Sequence, residues 1–221
     1  MEEYTFVVDS PMYEVLKHNF NSIQDSNILS ELGLETGKYI LLSAHREENV
    51  DDEIMLRNLI GSVGITAEKY GVNVLYSCHP RSAKRIKAFG IDIPQSFIVH
   101  EPFGFHDYNS LQMNSLAVLS DSGTLPEEAD FFMSVGHPVA AVSLRSSSER
   151  PEAIDAGVFQ ISGSGAQSVL RATELALDMK NSSEGCDRVE FYNSNNVSSK
   201  IVKIIQGYTG IINENVWRKG R

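Results

Sequence analysis

Between the apolar run "SLAVLS" and the helix-compatible "FFMSVG" lies the decapeptide "DSGTLPEEAD", residues 121–130. It sets a serine, a glycine and a threonine directly after a strand of buried character. Thr124 and Glu127 stand at capping-box spacing with Pro126 in the first helical turn, so the amides around Ser122, Gly123 and Thr124 should be free to meet an anion. Gly123 would let the backbone approach closely, and Glu128 could accept hydrogen bonds from a ribose diol. The same residues would also suit an ordinary helix cap, and taken alone they leave the two readings level.

Three basic stretches follow apolar runs in the same way. In "SAHREEN" (43–49), His45 could donate to a phosphate or act as acid or base, and Arg46 suits a diphosphate or could pair with Glu47 or Glu48. In "CHPRSAKRIK" (78–87), Ser82 is a candidate N-cap with Arg81, Lys84 and Arg85 near it, a solvated basic face being the reading favoured for Lys84 and Arg85. In "SERPEAIDAG" (148–157), Pro151 and Glu152 fall in a first helical turn and Gly157 beyond the last, which a well-capped short helix would also explain.

Such residues need strand ends to hold them. "KYILLSA", "NVLYSC", "SFIVH", "SLAVLS", "PVAAVS" and "VFQIS" are continuous apolar runs, each followed by turn chemistry and a helical stretch. That alternation predicts an α/β domain with a parallel sheet of about six strands and helices on both faces, ligands meeting the carboxyl ends of the strands. Leu56, Leu59, Ile60, Val63 and Ala67 form a helical stripe that should pack on the sheet. The opening "TFVVDSPMYEVLKHNF" reads as strand, turn and helix, and Val197, Ile201, Ile204, Ile205 and Tyr208 mark a last amphipathic helix after the polar stretch 180–199. The organisation expected is an inter-domain strand and helix segment at 1–36, a Rossmann-like domain at 37–180, and a linker with a C-terminal helix at 181–221.

The chain has 221 residues, 42% of them hydrophobic and 22% charged, with a formal charge of −10. An acidic balance argues against nucleic-acid binding, so an anionic ligand needs a local basic pocket. No apolar run approaches the ~20 residues of a membrane span. The acidic start "MEEYTF" does not read as a secretory signal, and a cytoplasmic location is expected. Cys78 and Cys186 are too isolated to suggest a disulfide framework or zinc cluster, and neither a metal nor a cofactor is called for.

Taken together and in order, "AHREEN", "HPR", "EPFGFHDYNSLQMNS", "LSDSGTLPEEA" and "SERPEAIDAG" resemble the UDP-N-acetylglucosamine 2-epimerase family, from "TFVVDSP" through the final helix. The resemblance implies the carboxyl-terminal half of a glycosyltransferase-B-type fold whose two Rossmann-like domains enclose the site. It implies that Ser122, Gly123, Thr124 and Arg46 meet the diphosphate, Glu128 the ribose, and Tyr108 the uracil. His45 matches the family's cleft histidine, Glu48, Asn49, Arg150 and Glu152 fall in the sugar or cleft region, and His79 aligns near a second UDP-sugar site of some members. The implied reaction expels UDP from carbon 1 with loss of the carbon 2 proton, then returns UDP with the proton on the opposite face.

Glu47 and Thr124 stand where many members have arginine and glycine, as in a subgroup similar to UDP-N-acetyl-L-fucosamine synthases that acts on deoxy-amino-sugar nucleotides. The family draws its proton-transferring carboxylates from the amino-terminal domain, so this chain is expected to bind a UDP-sugar and to need that domain, or a partner subunit, for turnover. A homodimer is compatible with the resemblance. The alternatives are the nucleotide-sugar half of a glycosyltransferase and a non-catalytic UDP-sugar binding module.

Overall fold

The computed structural model describes residues 4–148, 150–182 and 186–218. Glu149 of the "ERPE" motif, part of the 181–221 linker and the last three residues lie outside the described residues.

Six parallel strands form one sheet: β1 (Tyr39–Ser43), β2 (Asn73–Ser77), β3 (Phe97–His100), β4 (Ala117–Ser120), β5 (Ala141–Ser143) and β6 (Gln160–Ile161). Their spatial order is β3-β2-β1-β4-β5-β6, every neighbouring pair being parallel. The winding therefore reverses between β1 and β4. At such a switch point the connections leave in opposite directions and open a crevice at the carboxyl ends of the two strands.

The apolar runs split by alternation between two cores, since successive side chains of a strand point to opposite faces. Ile40, Leu42, Val74, Tyr76, Leu119 and Val142 enter one core, and Tyr39, Leu41, Leu75, Val118 and Ala141 enter the other. The first is closed chiefly by α4 (Glu53–Tyr70) and α9 (Ala166–Asn181), the second by α1 (Met12–Gln24), α6 (Phe105–Asn114) and α7 (Leu125–Ser134). The α4 stripe of Leu56, Leu59, Ile60, Val63 and Ala67 is buried as its spacing predicts. Asp52 caps α4 by accepting from the Met55 amide at 2.9 Å, and Gly71, at φ 63°, ends it in a left-handed turn.

Shorter helices complete the chain: α2 (Ile28–Glu31), α3 (Glu47–Val50), α5 (Pro80–Ala88) and α8 (Pro151–Asp155), with α10 (Val197–Asn215) last. One expected element does not form. Residues 5–10 join no strand, Val7 is 84% exposed, and a backbone tie of this stretch to the body is the Ser10 amide donating to the Phe191 carbonyl at 3.0 Å, beside side-chain ties through Phe6 and Asp9. An apolar, β-branched run has strand propensity, but a strand also needs an edge to pair with, and the sheet offers none here. The run "VFQIS" keeps two residues of strand, as suits the sheet's outer edge.

Candidate active site at the crossover of the sheet

The ladder Ser43↔Ser120 brings the ends of β1 and β4 side by side. One residue further, Asp121 is fully buried and organises the junction. Its Oδ2 accepts from the amides of His45 and Arg46, both at 2.9 Å, and from Asn49 Nδ2 at 3.0 Å. His45 Nδ1 stands 3.3 Å from Asp121 Oδ1, with the histidine side chain 45% exposed. Asn49 also donates to the Leu144 carbonyl at 3.0 Å, so a single buried amide ties the ends of β1, β4 and β5. A buried carboxylate costs several kcal/mol to desolvate unless donors surround it, and here backbone amides supply that role.

The residues expected at the diphosphate meet at this crevice. Gly123 faces the guanidinium of Arg46, whose Nη2 would lie 3.4 Å from a Cβ built on that glycine. The Ser122 amide donates to Ser120 Oγ at 3.1 Å, and the Thr124 amide to Ser122 Oγ at 3.3 Å. These amides are thus engaged within the turn rather than open.

The capping box does not form either. Thr124 makes no side-chain cap, its backbone is helical, and its hydroxyl instead donates to Glu128 Oε1 at 2.8 Å. Glu127 is drawn away by Arg150, 2.7 Å from its carboxylate. A charged partner outcompetes a single backbone amide for a carboxylate, which is why the spacing misleads.

Glu128 is 9% exposed and accepts from Gln112 Nε2 and Thr124 Oγ1, both at 2.8 Å. Burial pushes its carboxyl above the ordinary glutamate range, while those two donors act the other way and the neighbouring Glu127 adds to the rise. Tyr108 is near enough to Glu128 to feel its charge. Burial and the Glu128 charge raise its phenol, and hydrogen bonding with Ser43 and Ser120 opposes that.

On the β2 side, His79 rather than Ser82 caps α5, its Nδ1 accepting from the Arg81 amide at 3.2 Å. Ser82 is buried and donates to the Ala44 carbonyl at 2.7 Å. The rings of His45 and His79 lie 5.7 Å apart. Arg81 pairs with Glu47 at 2.9 Å and with Asp51, which Arg85 also meets at 3.1 Å, so this basic helix is tied to α3 rather than simply solvated. Glu48 Oε1 stands 3.6 Å from Arg145 Nε at the end of β5. Glu152 accepts from Tyr192 at 2.7 Å, on the side of Arg150 and Glu127.

Sequence reasoning passed over two residues, Asp121 and Gln112. A legible signal for Asp121 was an acidic residue directly after four buried ones. For Gln112 there was none beyond an amide in an otherwise apolar position of α6. A partly open cavity of ≈ 30 Å³ lined by Met133, Val139, Met179 and Lys180 lies at the opposite, amino-terminal end of the strands. It has room for about a water and no convergent polar set.

The sequence that builds this crevice is matched over residues 1–206 by the family profile of UDP-N-acetylglucosamine 2-epimerases. The chain belongs to the UDP-N-acetylglucosamine 2-epimerase family. The UDP-N-acetylglucosamine 2-epimerase of Methanocaldococcus jannaschii is 32% identical over 146 residues, 64% of this chain and 38% of that protein. The solved structure of the Rickettsia bellii UDP-N-acetylglucosamine 2-epimerase superposes with a TM-score of 0.78 at 33% identity, over 96% of this chain and 56% of that one. The M. jannaschii UDP-GlcNAc 2-epimerase, crystallised with UDP-GlcNAc and UDP, gives 0.79 at 26% identity, over 91% and 54%. The chain therefore spans about half the length of these epimerases, and its sheet is the Rossmann-like half expected of a glycosyltransferase-B-type fold. Among the described residues no helix is long and apolar enough to cross a membrane.

Proposed function

We propose that this chain is the UDP-sugar-holding half of a UDP-N-acetylglucosamine 2-epimerase. The observation that carries the reading is the Asp121 junction. It fixes the backbone that presents His45 and Arg46 on one side of the crevice, and Ser122 and Gly123 continue from it on the other. A guanidinium over a glycine is a seat for a diphosphate in a chain whose overall charge would repel one. Farther along α7, buried Glu128 is an acceptor for a ribose diol beside Tyr108. The presence of UDP-GlcNAc and UDP in the M. jannaschii relative supports the choice of ligand.

In the proposed reaction this half binds and orients UDP while the bond at carbon 1 breaks and re-forms. His45 is held through Nδ1 at Asp121, leaving Nε2 to meet the departing or returning phosphate. Asp121, Glu127 and Glu128 are each engaged by donors or a cation, so the base for the carbon 2 proton comes from the remaining half of the fold. Turnover accordingly needs that amino-terminal domain, within one polypeptide or as a partner subunit.

Calorimetry with UDP, UDP-GlcNAc and UDP-N-acetylfucosamine tests the reading. UDP binds, and Glu128→Ala weakens it by about 1–3 kcal/mol, the range of a hydrogen bond to a charged group and its loss. No heat of binding with any of the three, from a folded chain, refutes the assignment. In deuterated water this chain alone should leave carbon 2 of a UDP-sugar unlabelled; label there would place the base within these residues.

A further inference from the structure

We infer that Gln112 is a positioning residue for Glu128, an amide locked as a donor so that the buried carboxyl stays an acceptor for the ligand's diol. The inference rests on the function proposed above and adds to it a residue that touches no ligand.

The lock can be followed atom by atom. Asn109 Nδ2 donates to the Phe105 carbonyl within α6 at 2.8 Å, which turns Asn109 Oδ1 the other way. Gln112 Nε2 donates to that Oδ1 at 3.3 Å and to Glu128 Oε2 at 2.8 Å. Both neighbours of the Gln112 nitrogen are acceptors, so rotating the amide by half a turn would set oxygen against oxygen twice. The orientation is thus dictated by a backbone carbonyl of the helix, whatever Glu128 does. Gln112 is 1% exposed, and its Oε1 is buried and accepts from nothing among the described residues. An orphaned buried acceptor is unfavourable, and a fold that kept this residue only for packing would be served as well by methionine or leucine.

The consequence concerns protonation. An amide that can only donate stabilises a carboxylate and gives a protonated carboxyl nothing to donate to. Glu128 needs that support because burial favours its neutral form and Glu127, next to it on α7 and paired with Arg150, adds negative charge. Tyr108 of α6 feels the charges of Glu128 and of Asp121, and neither Tyr108 nor Asp121 brings a positive charge. Thr124 supplies the other donor.

The test is the affinity of the folded chain for UDP and for 2′,3′-dideoxy-UDP between about pH 6 and pH 9, parent against Gln112→Met. The parent should prefer UDP across the range. Q112M should lose about tenfold for UDP at neutral pH, recover as the pH rises, and bind the dideoxy nucleotide as the parent does. The quantity compared is the ratio of variant to parent, because the terminal phosphate of UDP itself titrates at about pH 6. Should Q112M fail to fold, Asn109→Ala, which frees the amide to turn, should move the same limb in the same direction by less. A parent that binds UDP with a variant-to-parent ratio flat in pH overturns the inference and leaves the site standing. A parent that binds no UDP overturns both.

Discussion

The crossover between β1 and β4 and the terminal helix α10 invert the usual relation between polarity and burial. At the crossover Asp121, Asn49, Glu128 and Gln112 are buried, each carboxylate oxygen met by donors. In α10 the fully buried residue is Val197, while Ile205 is 58% exposed and Trp217, just beyond the helix, 66%. The helix is held by polar ties instead: Lys200 Nζ to Asp9 Oδ2 at 2.6 Å, and Ser198 to Glu14 at 2.7 Å. Its aromatic contact is Tyr208 on Phe6, ring centroids 4.6 Å apart. Buried polar groups can hold only one arrangement, since every misplaced partner leaves a donor or acceptor orphaned. Exposed apolar groups held by surface ion pairs contribute little to the fold they belong to. One region is therefore rigid and specific, and the other adds little to the stability of the body it rests on.

Removing the central carboxylate should break that contrast most severely. Asp121→Ala orphans two backbone amides and the Asn49 amide at once, and should cost about 3 kcal/mol or more in urea unfolding and abolish UDP binding. Loss of binding without loss of stability would show that Asp121 touches the ligand rather than building its seat.

A smaller effect follows from Glu128. Its folded carboxyl lies above the ordinary value of 4.5, so the folded chain holds that proton more tightly than the unfolded chain does. The associated stability is fully present below the unfolded value and is lost as pH rises through the folded one. Compared with Glu128→Gln, the parent should lose stability from about pH 4.5 upward, the two converging in acid, as thermal melts would reveal. A parent that gains on the variant with rising pH would mean that Thr124 and Gln112 outweigh burial.

The smallest change belongs to α10. Ile205→Ser should alter the stability of this chain by no more than about 0.5 kcal/mol, as surface substitutions do. A loss of several kcal/mol would mean that the apolar face of α10 is packed in solution against something that these residues do not include.

Much of the scaffold was legible because its signals are local. "YILLS", "NVLYS" and "AVLS" are strands since a continuous apolar run of five or so residues, covered on both faces, has few other uses. "TFVVDS" carries the same composition and fails, because pairing depends on a partner that composition does not encode. Within the candidate site, His45, Arg46, Ser122 and Gly123 could be gathered from the rule that parallel sheets converge at their carboxyl ends. Thr124 and Ser82 were misassigned for a common reason. A hydroxyl near a helix start has several acceptors in reach, and Glu128 and the Ala44 carbonyl won over the expected amides. Asp121 and Gln112 were missed because the partners that give them their roles, His45, Arg46 and Asn49 for the one and Glu128 for the other, come from other elements, so those roles exist only once the chain has closed.

The Asp121 bonds also have a kinetic meaning. Its partners His45, Arg46 and Asn49 lie 76, 75 and 72 residues earlier in the chain, on the far side of the one ladder that joins the first three strands to the last three. A chain that has formed its helices and paired β1 with β2 and β2 with β3 has met only contacts nearer in sequence, and it still lacks half the crevice. Closing so long a loop is the slow, entropically unfavourable part of building a parallel sheet. Competence to hold a nucleotide should therefore arise abruptly and late in refolding, with docking of β4 on β1, so that recovery of binding serves as a clock for topology where helical circular dichroism does not.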